Sequence, residues 1–214
     1  MPISNRFDIL KKELVKLKKQ FLPKINPTGS YSEKQLALTI AYRVLAHAEI
    51  EAYFEDRVWE AALHAKRNWD NEGKSSRILI SLVAFSGQMM DLPPNTCTPV
   101  NGSKRISPEK IKINEKVTLS INAFYKVIEQ NHGLKESNLL ALLLPIGISS
   151  DDLDTVFLAN MNTFGQDRGI VAHSSATSYR GVNNLPDPAT ELNRIKQITD
   201  ELIQLDQLIS NLME

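Results

Sequence analysis

Apolar residues recur three to four positions apart along most of this chain, which is the spacing of α-helices. No pair of alternating strand-like runs joined by a tight turn occurs, and the one Asn-Gly pair, at 101–102, lies in a Pro-rich polar segment. The pattern predicts an all-α fold, a bundle of about six to seven helices. The predicted helices lie at about 4–21, 32–70, 75–90, 108–131, 135–145, 151–172 and 188–213.

Several of these helices begin with a recognisable N-terminal signal. Ser32 followed by Gln35 has the form of a capping box, in which each side chain bonds the backbone N–H of the other residue. Pro108 follows a serine, and Asp187 precedes a proline, so both sites place a capping side chain before a proline at the first helical position. Ser150 precedes two aspartates that the helix dipole favours, and we expect the sixth helix to begin there.

The composition is that of a globular protein with a buried core. The chain has 214 residues, of which 42% are hydrophobic and 23% charged, which excludes wholesale disorder, collagen and a disulfide scaffold. We expect residues 31–214 to form the helical domain. Residues 1–30 are expected to form an N-terminal helical extension, either a partner-binding arm or one more helix of the bundle.

Charge and cysteine content limit the classes of partner and location. Lys and Arg together number 25, as do Asp and Glu, which argues against a broad nucleic-acid-binding surface but allows a local basic site. The single cysteine, Cys97, cannot form an internal disulfide bond. No apolar run reaches the ~18 residues needed to cross a bilayer, and residues 1–21 lack the apolar core of a secretory signal. We therefore expect a cytoplasmic protein without a membrane partner.

The second predicted helix carries polar residues on its apolar face. His47, Glu51 and Glu55 occur there at one residue per turn. A carboxylate on a core-facing position costs several kcal/mol unless it is paired or reaches water. Either the two glutamates lie at a solvated edge of the helix, or the helix lines a polar cleft with Glu51 nearest its centre.

Motifs for metal or cofactor binding are absent from the sequence. His47 and Glu51 have a spacing that suits a metal ion, but one pair is insufficient for a stable site, and no second pair of ligands accompanies it. The chain has no phosphate-binding Walker loop, no dinucleotide-binding glycine motif and no nucleophile elbow. We expect neither a metal nor a cofactor.

The segment Arg168–His173, with the sequence RGIVAH, places an arginine and a histidine near the end of the sixth predicted helix, before two serines and a polar loop. This arrangement resembles the HEPN superfamily, small all-α proteins whose signature is Arg-x4-6-His at the end of a core helix. The context NMNTFGQDRGIVAHSS looks most like the RiboL-PSP type of HEPN domain. AHAEIEAYFEDRVW is similar to the long first core helix of these domains, and the resemblance covers about residues 30–213.

The resemblance implies a homodimeric endoribonuclease that needs no metal, in which two motifs meet in one cleft. RNA would then be a partner, and a role as a toxin or phage-defence effector would add an antitoxin or another protein. Histidine can move a proton near neutral pH, and the planar guanidinium of arginine suits phosphate. His173 is thus the expected general base or acid, and Arg168 the expected phosphate and transition-state stabiliser. Glu51 and Ser174 are expected to support them.

The spacing of the motif constrains how it works. Residues five apart lie about 140° apart on a continuous helix, although a helix ending near Ala172 and the long side chain of Arg168 would still bring the two groups together. A twofold-related copy would supply a second proton-transfer group. Active motifs of the family often carry a polar residue after the arginine, where this chain has Gly169. The alternative is therefore a catalytically inactive HEPN-like helical binding module or scaffold.

Overall fold

The computed structural model describes residues 3–88, 108–173 and 185–214, with the side chains at 108–111 and 172–173 outside that description. The predicted all-α fold is confirmed, because these residues form seven α-helices and no β-strand. The helices are α1 (Asn5–Phe21), α2 (Glu33–Glu72), α3 (Arg77–Phe85), α4 (Pro108–Glu129), α5 (Glu136–Leu143), α6 (Thr155–His173) and α7 (Pro188–Met213). None of them is both long and apolar enough to cross a membrane.

The 40-residue helix α2 is the central element and packs against all six other helices. Its apolar face contributes a row of fully buried side chains to the core, including Ile50, Phe54, Val58 and Ala62. The same helix buries His47. Because the other helices surround α2, polar side chains on its buried face can reach a ligand only where there is a gap between those helices.

Two predicted helix starts are confirmed, at α2 and α7. The capping box of Ser32 and Gln35 is present at the start of α2. Gly73 ends α2 in the left-handed conformation with φ of 68°, which glycine adopts without steric cost. Asp187 caps α7 by accepting a hydrogen bond from the backbone N–H of Thr190 at 2.8 Å.

The prediction that the sixth helix begins after Ser150 is wrong. Ser150–Asp152 forms a short 3-10 turn, in which the carboxylate of Asp152 accepts a hydrogen bond from the backbone N–H of Ser149 at 2.8 Å. The helix begins only at Thr155, where Asp154 Oδ1 accepts from the backbone N–H of Val156 at 2.6 Å. More than one residue in this acidic segment can serve as an N-cap, and Asp154, the last of them, caps the helix.

The third helix also ends earlier than predicted, at Phe85 instead of residue 90. A turn follows it, and Gly87 in that turn has a φ of 71°. Cys97 and Ser107 lie outside the described residues.

Helix α1 shares the core of the rest of the protein. Phe7 and Leu10 are fully buried, and α1 packs against α2 and α7. Before the helix begins, the backbone N–H and the hydroxyl of Ser4 donate to the carboxylate of Asp206 at 2.7 and 2.6 Å. The hydroxyl of Tyr53 donates to the same carboxylate at 2.9 Å. Asp206 therefore ties α1, α2 and α7 together inside the protein.

A second buried polar contact joins α2 to α7. The guanidinium of Arg43 donates two hydrogen bonds to the carboxylate of Glu191, at 2.7 and 2.8 Å. Glu191 is completely buried and Arg43 nearly so. Such bidentate pairs fix the relative position of two helices, because neither charge tolerates being left alone in the core.

Candidate functional site

The C-terminal half of α6 borders an open cleft of about 570 Å³. The opposite wall is the segment between α4 and α5, and α2 contributes one side chain. The lining residues are His47, His132, Gly133, Lys135, Asn138, Gly165, Gln166, Arg168, Gly169 and Ile170.

Gly165 is the point at which the two walls of the cleft touch. A β-carbon at this position would lie 2.8 Å from the backbone nitrogen of Lys135 and 3.1 Å from the carbonyl carbon of Leu134. Both distances are shorter than ordinary van der Waals contact, so only glycine allows α6 to approach this backbone so closely. One turn later, a β-carbon at Gly169 would meet no described atom within 4 Å. The walls thus touch at Gly165 and are open at Gly169.

Arg168 is a half-buried cation on the wall of this cleft. No carboxylate in the described ranges pairs with it, and its acidic neighbour Asp167 instead accepts a hydrogen bond from Arg194 at 2.6 Å. His132 and Lys135 stand on the opposite wall, with both side chains exposed. The lining of the cleft therefore carries cationic and titratable nitrogen groups and no carboxylate, an environment that favours an anion.

A second cleft of about 570 Å³ at the other end of α6 has the opposite character. Its lining includes the carboxylates of Asp152, Asp154 and Glu201, and it carries no Lys, Arg or His. A polyanion such as nucleic acid would be repelled there. Of the two, only the cleft beside Arg168 suits a phosphate ligand.

The other residues of the predicted motif are less fully described. His173 is the last residue of α6, so it follows Arg168 by five helical positions, a rotation of about 140° and a rise of about 7.5 Å. Its side chain is outside the described part of the structure. Ser174 lies outside the described residues altogether.

His47 is the residue that α2 contributes to the cleft. Its side chain is 1% exposed, and neither ring nitrogen has a hydrogen-bond partner among the described residues. The ring packs on that of Phe164 with the centroids 5.2 Å apart. Its Nδ1 lies 3.5 Å from Oε2 of Glu51, which is itself 14% exposed. Glu51 is thus placed next to His47 and does not itself line the cleft.

Glu55, one turn further along α2, holds the opposite wall in position. Asn131 donates a hydrogen bond to Oε1 of Glu55 at 2.9 Å, and Asn138 donates to the amide oxygen of Asn131 at 3.3 Å. Burial raises the pKa of the Glu55 carboxyl above its usual value, and the nearby Glu51 and Asp56 add to this, while the bond from Asn131 opposes it. Glu55 therefore links α2 to the opposite wall, whereas Glu51 contacts His47 on its own helix.

The residues of the cleft differ in how far they could be predicted from the sequence. His47 had a signal, since it is a polar residue on the apolar face of a long helix, one turn before Glu51. His132 and Lys135 had none, because only the packing of α6 on the segment between α4 and α5 brings them opposite Arg168. In the described ranges, no three His, Cys, Asp or Glu side chains form a group that could hold a metal ion.

The family model of RiboL-PSP-HEPN matches residues 5–211. The chain belongs to this family. The resemblance stated from the sequence is confirmed, and so is the HEPN type of the all-α fold. The matched range of this HEPN protein runs from the first residue of α1 into α7. No curated protein matches the chain, and no solved structure does.

Proposed function

We propose that this HEPN protein is an endoribonuclease that cleaves RNA without a metal ion, using Arg168 and His173. The observation that carries the proposal is the position of Arg168, a half-buried arginine without a carboxylate partner in the described ranges, on the wall of a cleft with His132 and Lys135 opposite. A cation held in this way can bind a phosphate group without first giving up an ion pair.

The chemistry uses the 2′-hydroxyl of the RNA itself. A base removes the 2′ proton, the 2′ oxygen forms a bond to phosphorus, and the bond from phosphorus to the 5′ oxygen breaks as that oxygen takes up a proton. Negative charge builds on the phosphoryl oxygens, where the Arg168 guanidinium would stabilise it. Histidine is the side chain best suited to move these protons near neutral pH, and His173 takes that role.

The 140° rotation between Arg168 and His173 favours a homodimer. One helix does not project the two side chains in parallel, whereas two copies related by a twofold axis can place an arginine of one beside a histidine of the other. The composite cleft would contain two motifs. Such a site also contains two histidines that can transfer protons.

A cytoplasmic ribonuclease of this kind would be a toxin or a phage-defence effector. Uncontrolled RNA cleavage stops growth, so the activity would require restraint by an antitoxin or by another protein partner. This role rests on the proposed chemistry and adds no further residue to it.

The test is the cleavage of labelled total RNA by the purified protein in EDTA. We expect EDTA-resistant cutting that leaves 2′,3′-cyclic phosphate ends. Arg168→Ala should lower the rate about 10²-fold or more, because it removes a stabiliser of developing charge, and His173→Ala should lower it similarly. Arg67→Ala and His64→Ala are matched controls on α2, at positions that do not line the cleft, and both should cut normally.

Full activity in the double variant Arg168→Ala, His173→Ala would overturn the assignment of the site. If the unaltered protein cuts no RNA and instead forms a saturable complex with another protein, the chain is the catalytically inactive binding module. Two features of the sequence favour this second outcome: Gly169, which replaces the polar residue common in active motifs, and the neutral charge balance of the chain.

A further inference from the structure

We propose that His47, oriented by Glu51, is a second proton-transfer group of the Arg168 cleft. It would donate the proton that the 5′ oxygen takes up when the RNA chain is cut. The inference rests on the proposed ribonuclease activity and deepens it, since one chain would then contribute two histidines to the reaction, from α2 and from α6. The Arg-x4-His motif does not include His47.

The first support is a buried imidazole that makes no hydrogen bond in the described ranges. Both ring nitrogens of His47 are buried without a hydrogen-bond partner in the described part of the chain. Polar groups buried in this way are unusual, because a satisfied or apolar side chain would be more stable in the same place. His47 is nevertheless one of the residues that line the cleft containing Arg168. A substrate group that enters the cleft and displaces the side chains covering the ring would provide the missing partner.

The second support is the orientation of the ring. Nδ1 lies 3.5 Å from Oε2 of Glu51, and the ring of Phe164 packs against the imidazole. A carboxylate beside one ring nitrogen fixes the tautomer and leaves the other nitrogen for chemistry. The separation exceeds a normal hydrogen bond, as is common for such contacts before a substrate is bound.

The cleft places His47 among groups that suit a phosphate. Glu51 lies beside its ring on α2, while His132 and Lys135 on the segment between α4 and α5 and Arg168 on α6 line the same cleft. A phosphodiester bound to Lys135 and Arg168 would therefore lie within the cleft that His47 lines.

The proton balance of the step is complete. His173 accepts the proton of the 2′-hydroxyl as the 2′ oxygen bonds to phosphorus. The bond from phosphorus to the 5′ oxygen breaks, and the 5′ oxygen takes its proton from His47. The products are a 2′,3′-cyclic phosphate, a free 5′-hydroxyl, a protonated His173 and a neutral His47. Exchange with water then resets both rings.

The experiment compares two RNA oligonucleotides that differ at a single linkage. One has the natural 5′ oxygen as leaving group, and the other has sulfur at that bridging position. A thiolate leaves without protonation, because a thiol is much more acidic than an alcohol. Removing a proton donor should therefore slow cleavage of the oxygen linkage only.

For His47→Gln we expect the rate on the oxygen linkage to fall about 10²-fold and the rate on the sulfur linkage to stay within about threefold of that of the unaltered protein. His64→Gln makes the same chemical change on α2 at a position that does not line the cleft, and it should affect neither substrate. Glu51→Gln keeps the size of the side chain and should lower only the oxygen rate, by a smaller factor. It provides the same comparison if His47→Gln fails to fold.

Equal losses on both linkages would overturn the inference, because a structural defect or the loss of a base slows both reactions. An unchanged oxygen rate in His47→Gln would overturn it as well, while leaving the proposed ribonuclease intact. If the unaltered protein cuts neither oligonucleotide, the proposed function itself fails and this inference fails with it. The three failures are therefore distinguishable.

Discussion

Gly165 lies so close to Lys135 that a β-carbon at position 165 would come within 2.8 Å of the backbone nitrogen of Lys135. The contact joins α6 to the segment between α4 and α5, and the cleft beside Arg168 opens directly beyond it. The width of the cleft is therefore set by backbone packing, which no side-chain rotation can relieve.

Gly165→Ala should destabilise the protein. Alanine favours a helix over glycine by about 1 kcal/mol, but the new methyl group must displace backbone atoms, and overpacking of this kind costs about 1–3 kcal/mol. We expect a net loss of stability and a lower unfolding midpoint in urea. An unchanged or higher midpoint would mean that the two walls are not in contact in solution.

Gly169→Ala is the matched substitution one turn later and should have the opposite effect. A β-carbon there meets no described atom within 4 Å, so the helix-propensity gain of about 0.5–1 kcal/mol is expected without a steric cost. The urea midpoint should rise. The oligomeric state should be measured in the same experiment, by light scattering. If the unaltered protein is the proposed dimer, a more stable variant that is monomeric would place Gly169 at a helix contact between two copies.

Arg43→Ala should be strongly destabilising, by about 3–5 kcal/mol, because it leaves the completely buried carboxylate of Glu191 without its bidentate partner. The double variant Arg43→Met, Glu191→Leu removes both charges and should be more stable than Arg43→Ala alone. A chemical denaturation series on Arg43→Met, on Glu191→Leu and on the double variant measures the coupling between the two side chains. If the stability loss of the double variant equals the sum of the losses of the two single variants, Arg43 and Glu191 are not coupled.

Glu55→Gln tests the raised pKa of Glu55. The folded-state pKa lies above that of the unfolded chain, so the folded protein binds more protons between the two values, and its free energy of unfolding falls as the pH rises through that window. Glutamine removes this loss and can still accept the hydrogen bond from Asn131. Relative to the unaltered protein, Glu55→Gln should therefore be more stable at pH 7 than at pH 4. Because the side chain is partly exposed, solvent screening should keep the difference small.

The comparison in urea is made at both pH values with both proteins. A difference in stability that is larger at pH 4 than at pH 7 would show that the carboxylate form of Glu55 is favoured in the fold. That result would contradict the dominant effect of burial.

Local signals explain why most of the fold could be predicted. Helices can be predicted from the periodicity of apolar residues and from capping residues such as Ser32 and Gln35, which interact within one turn. Short-range signals also explain the error near Ser150, because Asp152 and Asp154 both have side chains that can cap a helix. Choosing between two local caps depends on how α6 packs, and packing is not visible in the sequence.

The candidate site was predictable only where its residues share a helix. Arg168 was found because the motif lies within α6, and the polar face of α2 was found because its residues recur once per turn. The opposite wall, with His132 and Lys135, is distant in sequence from both helices. The decisive contact, Gly165 against the backbone of Lys135, has no local signature other than a glycine inside a helix.

The carboxylates of Asp206 and Glu191 affect the order in which the protein can fold during its synthesis. Both belong to α7, while their buried partners Tyr53 and Arg43 belong to α2, which is synthesised long before. Until α7 has left the ribosome, the nascent chain lacks these two carboxylates, so the buried polar contacts that join α2 to α7 cannot form. Docking of α7 on α2 is therefore a late step when the protein folds during its synthesis.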